Sequence, residues 1–287
     1  MTIKDDKTRS KYVDSLSTES LVEVLHSEIT KSVRKIKDYQ KQIAAAVNLI
    51  SKAMLNGGKL YIYGSSTPAR LAVVQNLENQ SIFSINPELI QSNIFGGDGV
   101  LKSINAEPAD NENNGRAEIV LSFVKDVDVL IILNDRENIK YSRGALKVAE
   151  QKNIPTILIA LDESLSEYAD VNITISSKNK KIANICDTYI STVYQTVLNL
   201  IFTAVMVKLG KVYENNIIDP NGLRHKEQAV SLVMKYSKTD EETAVDILEK
   251  CKYNPKVAIV MLNKKVDLKQ AIVLIKKKKG KINDFIK

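Results

Sequence analysis

Leu60-Tyr61-Ile62-Tyr63-Gly64-Ser65-Ser66-Thr67-Pro68 is the stretch that decides the fold. Four β-prone residues run into a glycine, three hydroxyl side chains follow, and a helical pattern from Ala69 to Leu77 begins after the proline. A strand, a small-residue turn and a helix make the repeating unit of a parallel sheet. Downstream, the apolar runs Ile82–Ile85, Val127–Leu133, Thr156–Leu161 and Val171–Ile175 suit further buried strands, with a helix over Gly144–Gln151 closed by Asn153-Ile154-Pro155. Strands alternating with helices predict a doubly wound α/β domain whose ligand crevice lies at the carboxyl ends of the strands.

Upstream, Ser17 and Thr18 offer N-caps ahead of Glu19, and Leu21, Val24, Leu25, Ile29, Val33 and Ile36 keep helical spacing. A second helix through Ile43, Val47 and Ile50 stops at Gly57-Gly58. After the sheet, Ile185 to Gly210 reads as a long amphipathic helix. From about Asp219 the pattern is helical only: an Asp219-Pro220-Asn221-Gly222 turn, a Thr239-x-x-Glu242 capping box, a restart at Asn254-Pro255 and a last helix opened by Asp267. The expected organisation is N-terminal helices over 1–57, the α/β domain over 58–216 and a small C-terminal helical bundle over 217–287, with the boundary near Asn216–Asn221.

With 44% hydrophobic and 26% charged residues the chain is not a disordered one. The most apolar run, Val197 to Val207, is broken by Asn199 and Thr203 and reads as a buried helix, so no membrane partner is expected. Met1–Lys11 carries no apolar signal core, and the cytoplasm is the expected location. Cys186, Cys251, His26 and His225 are too few for a zinc site, and no metal or cofactor is expected. The net charge is +7, but Lys276–Lys287 alone holds six lysines against Asp284. A solvated helix end explains it, and without basic strands bearing aromatics a nucleic-acid partner is not expected.

Three places carry possible chemistry. The Gly64-Ser65-Ser66-Thr67 turn offers backbone N–H groups and hydroxyls to a phosphate, although a plain N-cap uses the same residues and Pro68 removes one donor. Glu78 and the acidic stretch of Glu107, Asp110 and Glu112 could divide acid and base roles, or the stretch is a solvated loop, since Asn111, Asn113, Asn114 and Gly115 favour loops. Asn134-Asp135-Arg136-Glu137-Asn138 ends a strand where ligands usually bind. Arg136 suits a phosphate; its acidic neighbours do not. No Gly-x-Gly-x-x-Gly, P-loop or Ser-His-Asp set is present.

Val205-Met206-Val207-Lys208-Leu209-Gly210-Lys211-Val212-Tyr213-Glu214-Asn215 resembles the core signature of the N-acetylmuramic acid 6-phosphate etherases. Leu16-Ser17-Thr18-Glu19, Gly58 to Gly64, Asn86-Pro87-Glu88-Leu89-Ile90, Ile94-Phe95-Gly96-Gly97, Gly144-Ala145-Leu146 and Val257 to Leu262 continue the resemblance in order over nearly the whole chain. The resemblance implies the sugar-isomerase (SIS) fold, an amino-sugar phosphate ligand and a homodimer. It also implies metal-free cleavage of the D-lactyl ether, by elimination and then hydration, with glutamates as acid and base.

Carried over by residue, the first family glutamate falls on Glu78, although the usual Cys-Pro-Pro-Thr after it is Asn79-Gln80-Ser81-Ile82. The second falls on Ala109; Asp110 matches the aspartate beside it, and Glu107 substitutes only with a two-residue slip. In the first phosphate loop Thr67 and Arg70 match, beside Ser65 and Ser66, while Pro68 replaces a serine. The second loop, usually Ser-Gly-Arg-Thr-Pro, reads Arg136-Glu137-Asn138-Ile139-Lys140 and loses both hydroxyls. A third stretch, Asn184 to Thr192, keeps only Thr192. Packing motifs match and ligand-facing ones differ. Two expectations follow: a divergent etherase, or an inactive sugar-phosphate sensor comparable to the glucokinase regulatory protein, a relative on the same fold. Loss of a general acid or base costs about 10²–10⁴ in rate.

Overall fold

The computed structural model describes residues 13–103, 108–135, 138–175, 186–218 and 225–286. Contacts divide the chain into two compact units that interleave along the sequence. The first holds the described residues up to Ala46 with Tyr61–Val73 and Ser92–Leu200; the second holds Val47–Leu60, Val74–Gln91 and the described residues from Ile201 onward.

The opening helices are α1 (Thr18–Arg34), where the Ser17 hydroxyl accepts from the Ser20 amide, and α2 (Gln40–Leu55). There follow β1 (Leu60–Gly64), α3 (Ser66–Phe83), β2 (Ile90–Ile94), α4 (Glu112–Leu121), β3 (Val129–Asn134), α5 (Ile139–Gln151), β4 (Thr156–Ala160), β5 (Val171–Thr174) and α6 (Cys186–Lys208). The five strands form a parallel sheet in the order β2-β1-β3-β4-β5. The doubly wound expectation holds. Every residue of β1, β3 and β4 is buried, as expected for strands covered on both faces. On one face Tyr63, Leu130, Ile132 and Leu158 pack against Ile119 of α4 and Ala145, Leu146 and Ala149 of α5.

Glycine sets how closely α4 and α5 meet. A Cβ on Gly115 would stand 2.0 Å from the Tyr141 carbonyl oxygen, and one on Gly144 would stand 2.0 Å from that of Glu112. The two backbones touch where any side chain would part them.

Three expectations need correction. Ile82–Ile85 is not a strand: α3 continues through Phe83, with Ile82 exposed. The strand is β2, whose Gln91, Ser92 and Asn93 are only partly buried, because β2 is the sheet's edge and needs no apolar run. Second, Glu112–Leu121 is helical, where Asn113, Asn114 and Gly115 favoured a loop; Asn111 is its N-cap, accepting from the Asn113 amide at 2.8 Å. Third, the capping residue near Thr239 is Asp240, which accepts from the Thr243 amide at 2.8 Å.

In the second unit a short hairpin, β6 (Val212–Tyr213) and β7 (Asn216–Ile217), leads to α7 (Lys226–Ser237), α8 (Glu241–Lys250), α9 (Pro255–Lys264) and α10 (Leu268–Lys277). Ala229, Val233, Ala244, Leu248, Ala258, Ile259 and Val260 close the bundle core. Asn254 with Pro255 opens α9 and Asp267 opens α10 as the sequence predicts, and Gln270 completes a capping box with Asp267 that the sequence reading does not include. The Gly210–Asn215 signature docks the hairpin on this bundle. Tyr213 meets Tyr236 edge-on at 5.1 Å, and the Tyr236 hydroxyl donates to Glu214 at 2.9 Å and accepts from Asn216 at 2.7 Å. Gly210, at φ 70°, lies so near Gly280 that a Cβ would stand 2.4 Å from its carbonyl oxygen.

Among the described residues one helix, Ile190–Lys208, is long and apolar enough to cross a membrane by length and composition. Its buried positions Tyr194, Val197, Leu198, Ile201, Phe202 and Val205 recur every three or four residues, the pattern of a core helix with one face inward.

Candidate functional site

A sheet of order 2-1-3-4-5 reverses direction between β1 and β3, and ligands of such sheets bind outside the strand ends at that switch point. Gly64 ends β1 there, and Asn134 ends β3. Ser65 is fully buried and its hydroxyl oxygen has no hydrogen-bond partner. Ser66, the first residue of α3, stands in the left-handed region at φ 53°, a strained conformation for a residue with a Cβ. Thr67 is exposed. Arg70, one turn into α3, donates from Nε to the Val100 carbonyl at 3.2 Å, while its Nη2 is buried without a partner. The turn therefore sets a hydroxyl and one guanidinium nitrogen in the interior with hydrogen-bonding capacity unused.

Asp110 and Asn138 come together at the start of α5. Asn138 is the residue before the helix, left-handed at φ 50°, and its side chain makes no capping bond to the helix. Asp110 does that work from across the loop: its two carboxylate oxygens accept from the amides of Tyr141 at 2.8 Å and Lys140 at 3.1 Å. A carboxylate on a helix N-terminus is favoured by the unpaired N–H groups and the helix dipole together. Ala109, on which the resemblance places the second family glutamate if no gap is opened, is exposed beside it. Glu107 and Arg136 lie outside the described residues.

Glu78 belongs to the second unit, on the exposed side of α3. Its neighbours face inward: Asn76 donates to the Ile90 carbonyl at 3.0 Å, and Asn79 is buried with its Nδ2 unpartnered.

Behind the strand ends of the first unit lies a polar group that spacing does not reveal. Tyr141, fully buried in the first turn of α5, donates its hydroxyl to Glu118 of α4 at 2.5 Å, and Tyr63 of β1 donates to Ser122. Burial raises the Glu118 carboxyl above its ordinary range, with the Tyr141 hydrogen bond opposing. Burial first, with the charge of Glu118 adding to it, pushes the Tyr63 phenol up to about 12 and raises Tyr141 well above 10. Both tyrosines therefore stay donors. At the end of β3 the Asn134 carbonyl accepts from Tyr194 at 2.6 Å and its side-chain oxygen from Ser142 at 3.1 Å. No signal in the sequence marks these partners; apart from Ser142 and Asn134, which are eight residues apart, each pair joins residues 23 to 60 positions apart.

Among the described residues no three His, Cys, Asp or Glu side chains gather as metal ligands. The second unit has a depression of about 410 Å³ lined by Tyr213, Glu214, Lys278, Lys281, Asn283 and Asp284, but Lys278 is already paired with Asp284 at 2.6 Å.

No family model matches the chain. Individual proteins do. The N-acetylmuramic acid 6-phosphate etherase of Picosynechococcus sp. is 30% identical over 283 residues, 97% of this chain and 94% of that one. That of Clostridium acetobutylicum is 30% identical, covering 96% and 92%, and that of Bacillus subtilis 27% identical, covering 100% and 95%. Among solved structures, phosphoheptose isomerase GmhA of Neisseria gonorrhoeae superposes with TM-score 0.50 at 13% identity, over 67% of this chain and all of that one. A protein of Escherichia coli CFT073, solved as a ligand complex, gives TM-score 0.50 at 16% identity, over 73% and 100%. At such identities these structures speak for the sugar-isomerase fold alone. The two relatives at 30% identity match nearly end to end, and by that measure the chain belongs to the N-acetylmuramic acid 6-phosphate etherase family.

Proposed function

We propose that the protein binds an amino-sugar 6-phosphate at the carboxyl ends of β1 and β3 and cleaves its D-lactyl ether as a divergent etherase. The observation that carries the binding is the turn after β1. A buried Ser65 hydroxyl and a buried Arg70 Nη2, both without partners, follow a strand at the switch point of the sheet. Burying such groups unpaired costs about 1–3 kcal/mol each, and each is a donor that a phosphate oxygen would satisfy. Ser66, buried, and Thr67, exposed, add donors on the same turn, with Asn138 and Arg136 as further contacts on the reading of the sequence.

The reaction consumes one water: N-acetylmuramic acid 6-phosphate becomes N-acetylglucosamine 6-phosphate and D-lactate by elimination and rehydration. Glu78 takes the acid/base role on its family position, and Glu107 is the second carboxylate. Asp110 is the weaker candidate, because both its oxygens already hold helix amides. The active form is a homodimer, and sedimentation showing only monomer at micromolar concentration would remove that part.

One observation favours a second reading, the inactive sensor. Ala109 stands where the family has its second glutamate, and its neighbour Asp110 is engaged structurally. D-lactate release from N-acetylmuramic acid 6-phosphate separates the two. The expected result is release that drops about 10²–10⁴-fold in Glu78→Gln at unchanged melting temperature. No release, with tight binding of the sugar phosphate, selects the sensor. Neither release nor binding, with a control etherase working, rejects both.

A further inference from the structure

Tyr141 is a side chain at which the loops of the candidate site meet. Its amide donates to Asp110, in the loop before α4. Its ring stacks on Phe95, in the loop after β2, at 4.2 Å between centroids and 30° between planes. Phe95 in turn donates its amide to the carbonyl of Gly64 at 2.8 Å, the residue immediately before Ser65. The Tyr141 hydroxyl donates to Glu118 of α4, and the Tyr141 carbonyl is the one pressed against Gly115. Ring, amide and hydroxyl thus tie the ends of β1 and β2, the acidic loop and the start of α5 to a single residue that is wholly buried and touches no solvent.

We propose that Tyr141 is a positioning residue of the sugar-phosphate site, with Glu118 anchoring its hydroxyl; the inference rests on the binding reading above. Two features argue for positioning over packing. A phenylalanine would fill the same space and keep the contact with Phe95, so the hydroxyl is not needed to fill volume. A half-buried carboxylate is also a costly way to hold two helices together, and an aliphatic side chain at position 118 would pack at lower desolvation cost. What the hydroxyl–carboxylate bond adds is direction. It fixes the ring, and through the ring it fixes the loops whose donors must be held within about half an ångström of the geometry that receives a phosphate. The groups facing Glu118 are the phenols of Tyr141 and Tyr63, both donors across the physiological range.

The test is calorimetric binding of N-acetylmuramic acid 6-phosphate and N-acetylglucosamine 6-phosphate to four proteins: wild type, Tyr141→Phe, Glu118→Gln and Glu118→Leu. Wild type should bind. Tyr141→Phe and Glu118→Leu should each weaken binding about tenfold with melting temperatures within a few degrees of wild type, the loss expected of a hydrogen bond to a charged group. Glu118→Gln, whose amide oxygen still accepts from the hydroxyl, should recover most of the affinity. The double variant Tyr141→Phe/Glu118→Leu should be no weaker than either single one. Equal affinity in wild type and Tyr141→Phe overturns the proposal while leaving the binding site standing. So does a Glu118→Gln protein as weak as Glu118→Leu. No binding by wild type removes the site and the positioning role together.

Discussion

The α4–α5 helix pair and the turn after β1 stand at the same sheet and are built in opposite ways. In the helix pair the contacts are closed. Gly115 and Gly144 let backbone meet backbone, Lys147 pairs with Glu112 at 3.0 Å, Tyr141 holds Glu118, and Asp110 is taken up by two amides. In the turn, a buried hydroxyl and a buried guanidinium nitrogen have no partner and Ser66 is held left-handed. A protein interior leaves few such groups unsatisfied. On the proposed reading, the contrast separates a frame, whose interactions are internal, from a receiver, whose missing partner is the sugar phosphate. It also says where substitutions should be felt: in stability at the backbone contacts and caps of the frame, and in affinity at the receiver and at the Tyr141–Glu118 pair proposed to orient it.

The largest effect should come from Gly115→Ala. In an ordinary helix the change stabilises by roughly 0.5–1 kcal/mol. Here the new methyl would stand 2.0 Å from the Tyr141 carbonyl oxygen, so α4 and α5 must separate, and we expect a loss of about 3 kcal/mol or more in denaturant unfolding. A gain in stability would mean the two helices are not held at that distance.

Asp110 comes next. Replacing it with alanine leaves the Tyr141 and Lys140 amides without their acceptor, at a cost of about 1–2 kcal/mol, near the upper range for a lost cap. Asp110→Asn keeps one oxygen and should cost about half. If Asp110 were an acid or base, Asp110→Asn would instead abolish turnover while stability barely moved. The two measurements together assign it to frame or to chemistry.

These residues show what a sequence can and cannot disclose. β3 and β4 were legible because strands covered on both faces must be apolar throughout, and β2 was not because an edge strand has no such requirement. α4 was hidden because Asn111 and Gly115 are loop formers by composition, yet one is a helix cap and the other a contact point for α5. At the site, Ser65 and Ser66 were visible as hydroxyls following a strand and a glycine. The capping role of Asp110 and the Tyr141–Glu118 pair were not. Their partners lie 30 and 23 residues away, and no local period relates positions that meet only through tertiary packing.

Ser65→Ala should break the symmetry between stability and affinity. The hydroxyl has no partner in the folded protein, so removing it should leave stability unchanged or raise it by up to about 1 kcal/mol. Binding of N-acetylmuramic acid 6-phosphate should weaken about tenfold, one charge-assisted hydrogen bond lost. A variant that loses stability and keeps its affinity would move Ser65 from the receiver to the frame.

The smallest effect is one of pH. Burial raises the Glu118 carboxyl in the folded chain above its ordinary value of 4.5, so between those two values the folded state binds a proton more tightly than the unfolded one. The stabilisation this gives is complete below the ordinary value and is lost as pH rises through the raised one. In Glu118→Gln the side chain cannot titrate, while every other carboxylate is common to both proteins and cancels in the difference. The stability of Glu118→Gln relative to wild type should therefore climb as pH rises from about 4.5, and then level off once the raised carboxyl is fully ionised. Melting curves from about pH 4 to 7 read the slope directly. Parallel curves would mean that the carboxylate between α4 and α5 is as well solvated as a surface group, and Glu118 would then be too weakly held to orient Tyr141.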